Sequence, residues 1–426
     1  MQKIQPEAVG VSTARLNRIS SLLSSYIESN KIAGAISLVA RRDKIVHFEC
    51  QGKMNLSANK LMQEDTIFRI YSMTKPITSV AMMMLYEQGY FQLNTPVYEF
   101  IPQFKNLEVF DSGSATSFKT VKPKRPMIIA DLLTHTSGLT YDFINTSPVD
   151  EMYRLAGIQG SHASGTLDDL IVKLAEMPLL FSPGTQWHYS LATEVIAYLV
   201  QSMSAERFDE FVKKNITQPL RMVDTDFYVP INKQERFAAN YTHIDLAPAD
   251  PLKQFSNYVT KQLTLDKTQK LILIDDSKSG IFSTPRTFHS GGGGLVSTAL
   301  DYLNFSHMLL NKGHFNGLQL LSPKTVELMT TNHLPSDLAN FSMGGFSETS
   351  LNGIGFGLGF SVMLDPVKAN ILGTAGEFGW GGGANTMFFI DPKEELIGIL
   401  LMQLLPSTAY QIRQEFKVAI YQSIIR

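Results

Sequence analysis

The sequence predicts an α/β protein of the α+β type, with one sheet assembled from both ends of the chain and a helical segment inserted between them. Three observations predict this. Strand patterns occur near the start, at Ala35–Ala40 and Lys44–Cys50, and return late, at Phe356–Met363, Ala384–Ile390 and Leu396–Met402. From about Phe91 to Phe282 the pattern is mainly helical with long loops. Helical stripes also flank the strands at both ends of the chain. The expected division of this single domain, 1–426, is 1–90 and 283–426 for the α/β part and 91–282 for the helical subdomain.

Taken in order, Ser12 reads as an N-cap for a helix whose stripe is Leu16, Ile19, Leu22, Leu23, Tyr26 and Ile27, ending near Asn30. The first two strands form a hairpin around Arg41-Arg42-Asp43. Cys50 closes the second strand, where a buried structural thiol is expected. Asp111–Ser117, rich in Ser and Gly, reads as a surface loop. Ile412, Phe416, Ala419 and Ile420 mark one face of a closing helix. No repeat of 20–50 residues stands out.

Composition removes several function classes. With 44% hydrophobic and 18% charged residues, the 426-residue chain has ample core. Its net charge of −2 provides no basic field for nucleic acid. The cluster Lys119, Lys122, Lys124 and Arg125 is broken by prolines and reads as a solvated loop. No apolar run approaches a bilayer span, and the N-terminus lacks the apolar core of a signal peptide, so a cytoplasmic protein is expected. A single cysteine allows no intrachain disulfide, and the nine histidines form neither HExxH nor Cys/His zinc spacing. No metal or other cofactor is expected. Oligomeric state leaves no trace in the sequence.

The chemistry-bearing stretch is Ile70-Tyr71-Ser72-Met73-Thr74-Lys75-Pro76, running into Ile77–Leu85. It reads as a short strand delivering Ser72 to the first turn of an amphipathic helix whose stripe is Ile77, Val80, Ala81, Met84 and Leu85. Met82–Met84 are expected as core filler. Residues three apart on a helix are neighbours, so Lys75 can lie against the Ser72 hydroxyl. An amine beside a serine at a helix start is one way to activate a weak nucleophile. A second Ser-x-x-Lys, Ser57-Ala58-Asn59-Lys60, has no helical stripe behind it and reads as a loop.

Four further segments complete a set: Leu132-Leu133-Thr134-His135-Thr136-Ser137-Gly138-Leu139, Phe181-Ser182-Pro183-Gly184-Thr185-Gln186-Trp187-His188-Tyr189-Ser190, Ser290-Gly291-Gly292-Gly293-Gly294-Leu295-Val296-Ser297 and Gly379-Trp380-Gly381-Gly382-Gly383. With the opening Pro6-Glu7-Ala8-Val9-Gly10, these resemble the serine β-lactamase-like hydrolases, most closely the family VIII carboxylesterases and their class C β-lactamase relatives. The resemblance implies a β-lactamase/penicillin-binding-protein-like fold: an antiparallel sheet, flanking helices and a helical subdomain, with the active site in the cleft between them. It implies that Ser72 is the nucleophile, Lys75 its neighbouring amine and Tyr189 the tyrosine of the second motif. The N–H groups of Ser72 and Gly383 would form the oxyanion hole. Trp380, Gly381 and Gly382 stand where the lactamases carry Lys-Thr-Gly, and Leu191 stands where they carry a substrate-contacting asparagine.

Lysine and tyrosine, protonated at pH 7 when free, change character when placed together: the ammonium favours the phenolate and burial disfavours the ammonium. Either can then serve as base. His188, beside Tyr189, is a candidate on the substrate side, whereas His135 reads as a structural residue of the Thr-Ser-Gly turn. Trp380 reads as a cleft wall. Loops Tyr141–Asn145 and Asn340–Asn352 are expected to bound the cleft. Without the lactamase lysine and asparagine, the site should prefer a neutral, apolar acyl ester to an anionic lactam. The expected function is a serine esterase acting on a small-molecule ester or amide through a Ser72 acyl-enzyme. The alternatives are an acyltransferase or transesterase using the same residues, a weak β-lactamase or D-amino-acid peptidase, and a non-catalytic binding or assembly protein of this fold. No Gly-x-Ser-x-Gly is present, which excludes the α/β-hydrolase elbow.

Overall fold

The structure, a computed structural model, describes residues 1–244, 270–343 and 350–426. Residues 245–269 of the expected helical segment and 344–349 of the loop Asn340–Asn352 lie outside the described residues. A nine-stranded sheet comprises β1 (Gln2–Lys3), β2 (Gly34–Arg41), β3 (Lys44–Asn55), β4 (Lys60–Leu61), β5 (Ile354–Phe356), β6 (Ser361–Met363), β7 (Phe378–Gly382), β8 (Thr386–Asp391) and β9 (Leu396–Met402). Its order is β1-β3-β2-β9-β8-β7-β6-β5, with β4 pairing to β3. Every pair is antiparallel except β1 with β3. The two ends of the chain meet at β2 and β9, where Val39 lies opposite Gly398.

The unbroken apolar run of β9 follows from burial on both faces. Ile397, Ile399 and Leu401 join a core with α2 (Thr74–Glu87) and α4 (Ala299–Leu310). Leu396, Leu400 and Met402 join a second core with α1 (Arg18–Glu28) and α5 (Ile412–Tyr421). The period of two along a strand thus feeds both layers. Ile412, Phe416, Ala419 and Ile420 are all buried, as expected of the closing helix.

The first hairpin forms where it is expected, and several other elements differ from expectation. The hairpin turns on Arg42 and Asp43, both at positive φ (50° and 59°), the geometry that matches strand twist in a two-residue loop. Its second strand runs on to Asn55, so Cys50 lies within it and is only half-buried, with burial raising its thiol pKa to about 11. Residues 111–117 are not a plain loop: Val109–Gly113 and Phe118–Val121 pair as an exposed ribbon. The run 356–363 splits into β5 and β6 because Gly359, at φ 94°, turns the chain between them. Residues 383–385 form a hairpin turn, with Asn385 at φ 64°, so β8 starts at Thr386 rather than Ala384. The amphipathic stripe of α2 is also too narrow a description: from Thr74 to Met83 every residue is buried. A helix surrounded on all sides has no solvent face for polar residues to mark.

His47, on β3, bonds Ser37 Oγ on β2 at 2.7 Å. Burial lowers its pKa from 6.5 to about 4, with Glu49 opposing. The unfolded chain therefore takes up a proton below about 6.5 that the folded protein refuses until about 4, and stability is lost as pH falls across that window. His47→Gln should remove this loss, about 3 kcal/mol at its largest. Thermal unfolding of both proteins between pH 7 and 4 checks this; parallel curves would refute it.

Candidate active site

The strand before Ser72 is short because it is held at each residue. Phe68–Arg69 pairs antiparallel with Val296–Ser297. The buried Arg69 side chain meets Asp275 Oδ2 at 2.7 Å and donates to the Ala238 carbonyl at 2.6 Å, while its backbone N–H donates to Gln403 Oε1 at 3.1 Å. Tyr71 then adopts φ 42°, a left-handed conformation that costs energy for a side chain of this size. Asn240 Nδ2 donates to its hydroxyl at 3.2 Å, and Phe282 packs edge-on at 5.9 Å. This reversal seats Ser72 in a 3-10 turn, Tyr71–Met73, that runs directly into α2.

One turn on, Lys75 is buried and its Nζ donates to three acceptors: Ser72 Oγ at 3.2 Å, Tyr141 Oη at 2.9 Å and the Gly292 carbonyl at 2.7 Å. Tyr189 Oη lies 2.5 Å from Ser72 Oγ, and the Lys75 ammonium nitrogen is 4.6 Å from the Tyr189 ring centre. Serine, amine and phenol therefore form one contact group. The heavy-atom separations allow a proton to leave Ser72 as its oxygen attacks a carbonyl. The other Ser-x-x-Lys makes no such contact: Ser57 Oγ bonds Asn55, and Lys60 pairs with Glu235.

The glycine loop brings the third acceptor. Gly292 can approach Lys75 because it lacks a side chain; a Cβ there would lie 2.8 Å from Glu194 Oε1. Gly291 accepts from Thr78 Oγ1 at 2.7 Å. Glu194, on α3 (Ala192–Ser204), is fully buried and accepts from Ser290 Oγ at 2.5 Å. Burial raises its pKa, and Ser290 and Lys75 oppose that shift.

The β7–β8 hairpin closes the opposite side. A Cβ on Gly382 would lie 2.2 Å from the Ile70 carbonyl oxygen, so the hairpin and the Ser72 turn touch backbone to backbone. Thr386 Oγ1 also donates to that carbonyl, at 3.4 Å. Gly383, half-buried at the hairpin tip, is near the Tyr71 ring, with an added Cβ 4.0 Å from Cγ. Gly381 lies under the Arg413 guanidinium. Trp380 is buried between Tyr189 (ring centres 5.8 Å apart) and Phe356 (5.3 Å).

Other residues singled out in the sequence make their contacts around this group. The His188 side chain bonds Thr140 Oγ1 at 2.9 Å, and Thr140 donates to Asp150 at 2.7 Å. His188 is buried, which lowers its pKa against the opposing field of Asp150. Leu191 caps α3 in full burial, close to Gly160 beside Tyr141. His135, at φ 56°, bonds Ser190 Oγ at 3.1 Å and packs on the Tyr189 ring at 5.2 Å. Burial holds its pKa well below 6.5, so a neutral imidazole braces Tyr189.

Sequence reasoning missed Tyr141 as a member of this group and passed over Glu194. Tyr141 stands just after the Leu132–Leu139 segment, and the spare donors of a buried lysine require such an acceptor. Glu194 was visible as the one charge among Ala192, Val195, Ile196 and Leu199 on an otherwise apolar helix.

The sequence profile of a family described as Beta-lactamase matches residues 19–422. An uncharacterised protein of Mycobacterium tuberculosis is 34% identical, over 89% of this chain and 88% of its own. Esterase EstB of Burkholderia gladioli is 29% identical, over 96% of this chain and 94% of its own. Among solved structures, EstCE1, described as a hydrolase with promiscuous acyltransferase activity, superposes with a TM-score of 0.78 at 26% identity, covering 96% of this chain and 99% of its own.

The two hairpin glycines should respond differently to a methyl group. Gly382→Ala forces a Cβ against backbone and should lose about 3 kcal/mol of stability. Gly383→Ala, whose Cβ meets Leu405 Cδ2 at an ordinary 3.5 Å, should stay within about 1 kcal/mol of the parent. Denaturant midpoints measure both, and equal losses would contradict the close approach of hairpin and turn.

Proposed function

Because the chain belongs to the beta-lactamase family, we propose that it is a serine hydrolase cleaving carboxylic esters of small apolar acyl groups through a covalent Ser72 intermediate. The observation that carries this reading is Ser72 Oγ held between Lys75 Nζ at 3.2 Å and Tyr189 Oη at 2.5 Å. In the first step Ser72 Oγ bonds to the ester carbonyl carbon and its proton passes to the Lys75–Tyr189 pair. The pair then protonates the departing alcohol as the ester C–O bond breaks. Water repeats the sequence in reverse and releases the acid. The N–H groups of Ser72 and Gly383 serve as donors to the oxyanion, each contributing about 3–4 kcal/mol to the transition state.

Substrate preference follows from the polar groups that positions 380 and 191 do not supply. Trp380 is packed between Tyr189 and Phe356, and Leu191 is apolar and wholly buried. Gly381 and Gly382 carry no side chain that could take the place of the lactamase Lys-Thr-Gly contacts, and the space beside them is taken by Arg413 and the Ile70 carbonyl. A lactam carboxylate would lose water without gaining the lysine and asparagine contacts, and an unpaired charge there is costly. His188, tied to Thr140 and Asp150, supports its neighbour Tyr189 and the wall behind it. An acyl-enzyme of this kind also passes its acyl group to a bound alcohol, and the description of EstCE1 as both hydrolase and acyltransferase favours that second activity.

A fluorophosphonate should place its adduct on the peptide containing Ser72; an adduct on Ser57 or Ser137 would overturn the assignment. Lys75→Ala and Tyr189→Phe should each lower kcat on p-nitrophenyl butyrate by about 100-fold or more, and the double variant should be little worse than the poorer single. Losses that multiply would show independent roles. Esters should also exceed cephalosporins in kcat/KM by about 100-fold or more, the equivalent of about 3 kcal/mol of discrimination. Comparable turnover of the two would mean that other residues supply the missing polar contacts.

A further inference from the structure

The oxyanion strand has an anchor on the far side of the sheet. Arg413, in the first turn of α5, reaches across Gly381 and donates through Nη2 to the carbonyl of Gly382. Glycine at 381 is what lets it pass: a Cβ there would lie 2.6 Å from Nη1 and 2.9 Å from Cζ. The carbonyl it grips belongs to the peptide whose other end is the N–H of Gly383. That peptide is trans, so carbonyl and N–H lie in one plane and point in opposite directions. Holding the first therefore aims the second.

We propose that Arg413 is a positioning residue for the reaction, fixing and polarising the Gly382–Gly383 peptide so that its N–H meets the developing oxyanion. This rests on the reading of Gly383 as an oxyanion donor. A cation bonded to an amide carbonyl draws electron density toward that oxygen and makes the amide N–H a stronger donor. The planar guanidinium matters as well as its charge, because only a flat group fits over Gly381 while keeping its N–H directed along the sheet. Two further contacts leave the peptide little freedom. Gly382 abuts the Ile70 carbonyl, and Asn385 Nδ2 donates to the carbonyls of Leu404 and Pro406 at 2.9 and 3.0 Å. With the rest of the tip pinned, Arg413 sets the tilt of one amide.

The test is Arg413→Ala and Arg413→Lys in the full-length protein, assayed with p-nitrophenyl butyrate and with its thiono analogue, whose C=S group is a poorer oxyanion acceptor. Arg413→Ala should lower kcat on the oxo ester by about 10- to 100-fold with KM within about threefold of the parent. The oxo-to-thiono rate ratio should shrink, and added methylguanidine should restore part of the loss. Arg413→Lys, charged but not planar, should fall between parent and Arg413→Ala, and it carries the test alone if the alanine variant does not fold. Equal losses on both esters would overturn the proposal, as would unchanged kcat. A raised KM confined to anionic substrates would overturn it too, and would make Arg413 a substrate contact. Retained activity in Ser72→Ala would instead sink the hydrolase reading itself, whatever Arg413 does.

Discussion

The buried amine of Lys75 imposes the conditions that the rest of the site satisfies. Three donors out of contact with water require three acceptors, and each comes from a different part of the chain: Ser72 on its own turn, Tyr141 on a loop, and the Gly292 carbonyl. The last is within reach only because neither Gly291 nor Gly292 carries a Cβ. Such atoms would run into Ala197 Cβ at 2.6 Å and Glu194 Oε1 at 2.8 Å on the neighbouring helix. The glycine loop is therefore a packing requirement of the lysine rather than a flexible hinge. Glu194, one layer further in, is held by Ser290, whose hydroxyl also accepts from the Gly293 N–H at 3.0 Å.

Two buried arginines tie distant segments of the chain together. Arg69 ties the strand before Ser72 to Asp275, Ala238 and Gln403, so three distant segments share one guanidinium. Its flat face also stacks 4.0 Å from the Phe237 ring centre. Arg41 does similar work at the chain ends, donating to the carbonyls of Val9, Gly10 and Arg426. Both replace the hydration of a cation with several oriented acceptors, the condition under which a buried charge does not destabilise a fold.

What could be read in the sequence tracks what is local. The Ser72–Lys75 spacing is a property of one helix turn, and the Arg42-Asp43 hairpin lies between two clear strand patterns, so both were legible. Tyr189 was identified through its motif, because nothing local says that its phenol crosses to Ser72. Tyr141 was expected on a loop bounding the cleft but not against Lys75, and the Arg413 contact was not legible. Each bonds an atom far away in sequence, a lysine amine in one case and a backbone carbonyl in the other, and neither leaves a periodic signal. Burial misled in the opposite sense at α2. Its stripe looked amphipathic because Thr74, Lys75, Thr78 and Ser79 are polar, yet they are buried where Lys75, Thr74 and Thr78 meet Ser72 and the glycine loop.

The central pairing of β2 with β9 joins residues from nearly opposite ends of the chain. Ser72 and Lys75 are made early and the β7–β8 hairpin with Arg413 late. The sheet that brings them together has a high contact order, and its centre cannot close before β9 is present. A chain cut before β7 holds the serine and the amine without the hairpin that abuts their turn. The meeting of serine turn and hairpin is therefore a property of the closed sheet, and no shorter local segment holds it.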